Sequence, residues 1–134
     1  MTRSSGILLP VSALPGPCGT GDLGTAAREF IDFLAAAGQR YWQLLPLTPP
    51  DSAHSPYLSA STFAGSTDRL SPEPFMARGA LTLDEVRSVD WGGDPMRVDY
   101  GRVHAGKTAL WAAAFAREQA AVTPALRAAL AAEP

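Results

Sequence analysis

Two carboxylates, Asp22 and Asp51, stand in the stretches richest in glycine and proline, residues 12–24 and 48–57. If both stretches leave the same end of a sheet, the two acids are the internal candidates for acid/base work on a bound substrate. Asp22 also has a simpler role, an Asx-type hydrogen bond to its own loop, and that is the role assigned to it. Gly19-Thr20-Gly21-Asp22-Leu23-Gly24 fits the G-x-G-x-x-G pattern of a dinucleotide-binding loop just before a helix. In that fold the first glycine follows the strand almost at once and an acid comes roughly 20 residues beyond the motif. Here residues 12–18, with two prolines, intervene, and the nearest such acid is Asp51, behind three prolines. The glycines therefore read as a sharp turn and a close packing contact, with a dinucleotide-binding domain as a distant alternative.

Other reactive side chains are scattered. His54 and His104 are the only histidines and Cys18 the only cysteine, without thiolate pair or H-E-x-x-H spacing, so no metal or other cofactor is expected. Ser55 follows His54, but neighbours in an extended loop point apart, which is not the geometry of a nucleophile and its base. Ser55-Pro56-Tyr57 suggests a different task. A tyrosine on a proline-stiffened loop presents a flat apolar face with a polar tip, the kind of surface that grips a sugar ring. Packing is the commoner fate of a loop aromatic, and Trp42 lies just upstream.

These loops need elements to hold them. Residues 7–11 and 44–47 are apolar without alternation, as in strands covered on both faces of a parallel sheet. Between them Ala27, Phe30, Ile31 and Leu34 recur at i, i+3, i+4, i+7, with Thr25 placed to cap the helix and Gly38 to end it in the left-handed conformation. The result is a β-α-β unit whose two loops share the carboxyl end of the sheet. Further on, residues 66–78 read as loop with a turn of helix. Thr82 and Glu85 form a capping box for a helix reaching about Ser88. A longer helix is expected over residues 100–119, where Val103, Lys107, Leu110, Trp111, Ala114 and Phe115 share a face with one polar member. Thr123-Pro124 opens a last Ala-rich helix over residues 125–132.

Composition narrows the partners. The chain has 134 residues, 46% of them apolar, which suits one globular unit. Eleven basic and thirteen acidic side chains leave a net charge of −2, with no field to draw in nucleic acid or an anionic membrane. A lone cysteine, no signal-like start and no apolar run near the roughly 18 residues of a spanning helix make a cytoplasmic location the expectation.

Several separated blocks, in order, resemble one family. They are Arg3-Ser4-Ser5-Gly6-Ile7-Leu8-Leu9-Pro10-Val11-Ser12-Ala13-Leu14-Pro15-Gly16-Pro17, Gly19-Thr20-Gly21-Asp22-Leu23-Gly24, Gly38-Gln39-Arg40-Tyr41-Trp42-Gln43-Leu44-Leu45-Pro46-Leu47, Ser55-Pro56-Tyr57 and Phe63-Ala64-Gly65, then Val98-Asp99-Tyr100 with Lys107. Together they are similar to the amino-terminal end of the 4-α-glucanotransferases, or amylomaltases. The resemblance implies an α/β fold, an incomplete (β/α)8 TIM barrel. Residues 1–58 would form its first β-α-β unit, and residues 59–134 a loop and mainly helical insertion, truncated. It also implies retaining transfer of α-1,4-glucan segments between maltooligosaccharides, on carboxylates contributed by later strands. A whole barrel takes roughly 250 residues, so the catalytic residues are expected outside this chain, which alone would be inactive. Ser55 and Tyr57 match the family's glucan-contacting loop residues. The pattern departs at Leu58, where the family usually has glutamine, at Ser66-Thr67 in place of Asn-Pro, and at Asp51-Ser52-Ala53-His54, where glycine and an aromatic are usual. Besides the transferase portion, whose partners would be an α-1,4-glucan and the rest of the barrel, a non-catalytic glucan- or partner-binding module remains open.

Overall fold

The structure, a computed structural model, describes residues 3–121 except 56, 60 and 95. Strand β1 (Gly6–Leu8), helix α1 (Thr25–Ala36) and strand β2 (Tyr41–Gln43) form the expected unit, with the strands parallel and Gly6 opposite Tyr41, Ile7 opposite Trp42 and Leu8 opposite Gln43. Glycine is required at the first pair, because a Cβ on Gly6 would lie 2.5 Å from the Tyr41 carbonyl oxygen. The backbone bonds Arg40 N–H to Ser5 O (2.9 Å) and Leu9 N–H to Gln43 O (3.2 Å) extend the pairing at both ends.

The strands are shorter and earlier than the apolar runs. β1 stops at Leu8 because Pro10 has no N–H to give, and Val11–Ala13 already coils into a 3-10 turn. β2 lies at residues 41–43 instead of 44–47, since pairing follows the partner strand, which has ended. Leu47, past the strand, instead packs on the small core of Val11, Leu14 and Ala27, beside Phe30 and Trp42. Nor are the strands covered on both faces. Ile7 is 40% and Leu8 56% exposed, because two strands cannot enclose one another.

Helix α1 buries Ala27 and Leu34 and half-buries Phe30, whose ring meets Trp42 edge-on at 5.0 Å, whereas Ile31 faces outward. The buried stripe is therefore narrower than its periodicity suggests. Thr25 is the first helical residue and not the cap; Gly24 takes that place without a side-chain cap, and a Cβ there would meet Ser71 Oγ at 2.5 Å. Gly38 ends the segment at φ +70°, as expected.

After a 3-10 turn at Thr67–Arg69 come helices α2 (Glu73–Ala77), α3 (Leu83–Ser88) and α4 (Tyr100–Ala121). The capping box of α3 is formed: Thr82 Oγ1 accepts from Glu85 N–H at 3.2 Å, and the Thr82 N–H donates to Glu85 Oε2 at 2.8 Å. α4 lays Val103, Lys107, Leu110 and Ala114 inward, while Phe115, expected on that face, is exposed. The larger core joins Cys18, Ala80, Leu81, Val86, Leu110 and Ala114, flanked by Phe75, Trp91 and Trp111. The helix expected over residues 125–132 lies outside the described residues. Among the described residues no helix is long and apolar enough to cross a membrane.

Candidate functional site

The loop between β1 and α1 is built around glycine. A Cβ on Gly21 would sit 2.0 Å from Val11 O and 2.7 Å from Leu14 O, both backbone atoms that cannot step aside. Gly19 adopts φ +73° against Trp91. Sharp turning and close packing are thus what this motif does here. Asp22 Oδ1 accepts the Gly24 N–H at 3.0 Å, the Asx bond expected of it. Its other oxygen has a partner that spacing did not suggest. Lys107 Nζ, 0% exposed, donates to Asp22 Oδ2 at 3.2 Å, to Asp68 O at 2.7 Å and to Leu70 O at 2.9 Å. One buried ammonium thereby ties the loop to α4 and to the segment before α2, with all three donors used.

The start of α1, where a pyrophosphate would bind in a dinucleotide fold, already holds an anion. Glu73 Oε1 accepts the Thr25 N–H at 3.2 Å and Oε2 accepts from Arg28 at 2.7 Å. Partial burial is the largest influence on the Glu73 carboxyl and pushes its pKa up, but the Thr25 hydroxyl and amide together with Arg28 outweigh it, so the net shift is downward. Cys18 lies in the core, where burial, partly countered by the nearby Lys107 charge, pushes its thiol up to about 11. Such a thiol is a packing group and a poor nucleophile. Among the described residues no group of three or more His, Cys, Asp or Glu could hold a metal ion.

The second loop closes on itself. Asp51 N–H donates to Leu58 O (2.9 Å), His54 N–H to Asp51 O (2.9 Å) and Leu58 N–H to Ser55 O (3.3 Å). The Asp51 carboxylate organises it further, Oδ1 accepting from the amides of Ala53 and Ser55 at 3.1 Å each. Ser55 Oγ accepts the Tyr57 N–H at 3.3 Å, so the serine hydroxyl orients the tyrosine backbone. Tyr57 is 71% exposed. His54, at φ +58°, stacks on Tyr100 with ring centroids 4.2 Å apart and planes 16° from parallel. Behind the loop is a cleft of about 500 Å³ whose lining includes Pro50, Asp51, His54, Asp68, Tyr100 and His104. At its edge His104 Nδ1 meets the Asp68 carboxylate at 3.2 Å.

Comparison with known proteins fits this geometry to a family. A 4-alpha-glucanotransferase family model matches residues 9–132. The chain belongs to the 4-alpha-glucanotransferase family. It is 45% identical over 107 residues to the 4-alpha-glucanotransferase of Thermus thermophilus, covering 80% of this chain and 20% of that protein. Against the Streptococcus pneumoniae 4-alpha-glucanotransferase it is 41% identical over 102 residues, 76% of this chain and 20% of the relative. Among solved structures, the amylomaltase from Streptococcus agalactiae in complex with acarbose superposes with a TM-score of 0.87 at 31% identity, over 97% of this chain and 26% of that one. The chain thus has the fold of part of an amylomaltase and spans about a fifth of the length of the curated relatives it matches.

Within this 4-alpha-glucanotransferase segment, Asp22 and Asp51 lie in loops from the same unit, yet each carboxylate is engaged in shaping its own loop. Residue types alone did not single out Glu73 at the start of α1, Arg117, whose guanidinium donates to both carboxylate oxygens of Glu85, or the stack of His54 on Tyr100. One signal was available for Lys107. A single cation on an otherwise apolar helix face must find a carboxylate or carbonyls inside the fold.

Proposed function

We propose that this chain is the opening part of a retaining 4-α-glucanotransferase barrel, with residues 1–58 as its first β-α-β unit and residues 59–134 as a mainly helical insertion. Ser55 and Tyr57 hold an α-1,4-glucan on the 51–58 loop. Membership of the family carries this reading, and the exposed Tyr57 ring on a loop fixed by Asp51 and Ser55 is consistent with it. The acarbose complex of the similar amylomaltase supports a sugar as ligand.

Retaining transfer needs a nucleophile and an acid/base carboxyl about 5 Å apart. Asp22 is locked to Lys107 and Gly24, and Asp51 to Ala53 and Ser55, so neither is arranged for that work. The catalytic pair is supplied by later strands, which also cover Ile7 and Leu8. The contribution of this segment is binding: the Tyr57 face stacks on a glucose ring, and the Ser55 hydroxyl, which also accepts the Tyr57 N–H, hydrogen-bonds the sugar.

Tyr57→Ala, made in the natural full-length polypeptide, tests the assignment. Loss of one ring face raises the KM for maltooligosaccharides roughly tenfold. An unchanged KM sinks the role given to Tyr57. Maltotriose disproportionation by residues 1–134 alone is expected to release no glucose, and turnover by that piece would overturn the placement of the carboxylates.

A further inference from the structure

His54 is the only non-glycine residue with positive φ among the described residues, at 58°. A side chain with a Cβ avoids this conformation unless its surroundings hold it there. Two contacts hold it: the His54 N–H donates to Asp51 O at 2.9 Å within the loop, and outside the loop the imidazole lies flat against the Tyr100 ring at 4.2 Å. Tyr100 is the first residue of α4, and that helix start is itself anchored: Asp99 Oδ1 accepts the Arg102 N–H at 3.1 Å, Arg102 pairs with Asp90, and Lys107 is bound two turns on. By contrast, the hydrogen bonds of residues 51–58 described above all close within the loop, while the stack reaches out of it.

We infer that His54 and Tyr100 form a latch that fixes the 51–58 loop against the start of α4 and so sets where the Tyr57 ring stands. Both are positioning residues: they act on the sugar through Tyr57, which rests on the glucan reading above. The chemistry suits a latch that holds without being rigid. Two flat rings resist sliding apart but form no directional bond, and the left-handed backbone at His54 turns the imidazole toward the helix while Ser55 and Tyr57 continue the loop.

Amide hydrogen exchange in the full-length polypeptide reads the latch without reference to activity. In Tyr100→Ala and in His54→Asn, which tolerates the left-handed backbone but has no ring, the amides of Ser55 and Leu58 are expected to exchange about threefold to tenfold faster. Tyr100→Phe keeps the stack and should exchange like the parent. Should Tyr100→Ala disturb α4 itself, seen as faster exchange along residues 103–114, His54→Asn decides alone. Parent-like exchange in His54→Asn overturns the latch. A higher KM for maltooligosaccharides at constant kcat in His54→Asn, matching Tyr57→Ala, supports the link to the sugar. If exchange accelerates while neither His54→Asn nor Tyr57→Ala alters KM, the latch stands and the glucan reading falls. If Tyr57→Ala raises KM but His54→Asn changes neither exchange nor KM, the latch alone falls.

Discussion

Lys107→Met is the most informative single perturbation of this fold. Methionine keeps most of the buried aliphatic stem, on the helix face that Lys107 shares with the buried Val103 and Leu110, so the change isolates the ammonium. Three bonds disappear, to Asp22 Oδ2, Asp68 O and Leu70 O. The Asp22 carboxylate, 9% exposed, is left buried without a cation, though it keeps the Gly24 amide. Removing one partner of a buried pair costs about 3–5 kcal/mol. For an m value of about 1.5 kcal/mol/M, that is a fall of about 2–3 M in the urea midpoint. Since domains are stable by only about 5–15 kcal/mol, the melts are best run with added sucrose, which strengthens burial and keeps a folded baseline. The double variant Asp22→Asn/Lys107→Met should be more stable than Lys107→Met by at least about 1 kcal/mol, because a neutral amide leaves no stranded charge. Two outcomes refute the reasoning: Lys107→Met within about 1 kcal/mol of the parent, or a double variant less stable than Lys107→Met.

Other consequences can be checked on the same preparations. Gly21→Ala drives a methyl into Val11 O and the Leu14 backbone and should cost at least about 2–3 kcal/mol, whereas Gly38→Ala, with open space but φ +70°, should cost only about 1 kcal/mol; urea melts rank them, and equal losses would contradict the packing argument. Hydrogen bonding by Arg117, followed by that of the Thr82 amide and hydroxyl, lowers the Glu85 carboxyl from its ordinary 4.5 to about 2. Because the folded-state value is the lower one, its contribution to stability is full above pH 4.5 and is lost as pH falls toward 2. Thermal melts against pH should therefore show a smaller decline across that window in Glu85→Gln than in the parent. Cys18, with its thiol pushed up to about 11 inside the core, should resist alkylation at pH 8 until urea unfolds the chain, and rapid labelling of folded protein would show the core to be open.

Much of the local structure was legible in residue order. The capping box at Thr82 and Glu85, the left-handed stop at Gly38 and the span of α4 all follow from interactions within one or two turns of chain. The Asx role of Asp22 was legible for the same reason, its acceptor lying two residues from its donor. Strand limits were not. An apolar run announces burial, but pairing needs a partner at the same height, so β2 formed at residues 41–43 beside β1 while Leu47 was drawn into the core. The Gly-rich motif shows the same division: its pattern fits a phosphate cradle, and only the presence of Glu73 at the start of α1 gave that position to a carboxylate of the chain itself.

For the candidate site, residue type and order placed Ser55 and Tyr57 on a proline-stiffened loop beside a β-α-β unit, and the spaced blocks around them carried the family. Such features are local or additive along the chain, so a sequence states them directly. The pairing of Asp22 with Lys107, 85 residues away, and the stacking of His54 on Tyr100 were decided only when the helices packed. A lysine on an apolar face requires a partner, and a histidine in a loop can use one, but which group stands within reach depends on the paths of both segments through space. Those paths are set by the whole core at once.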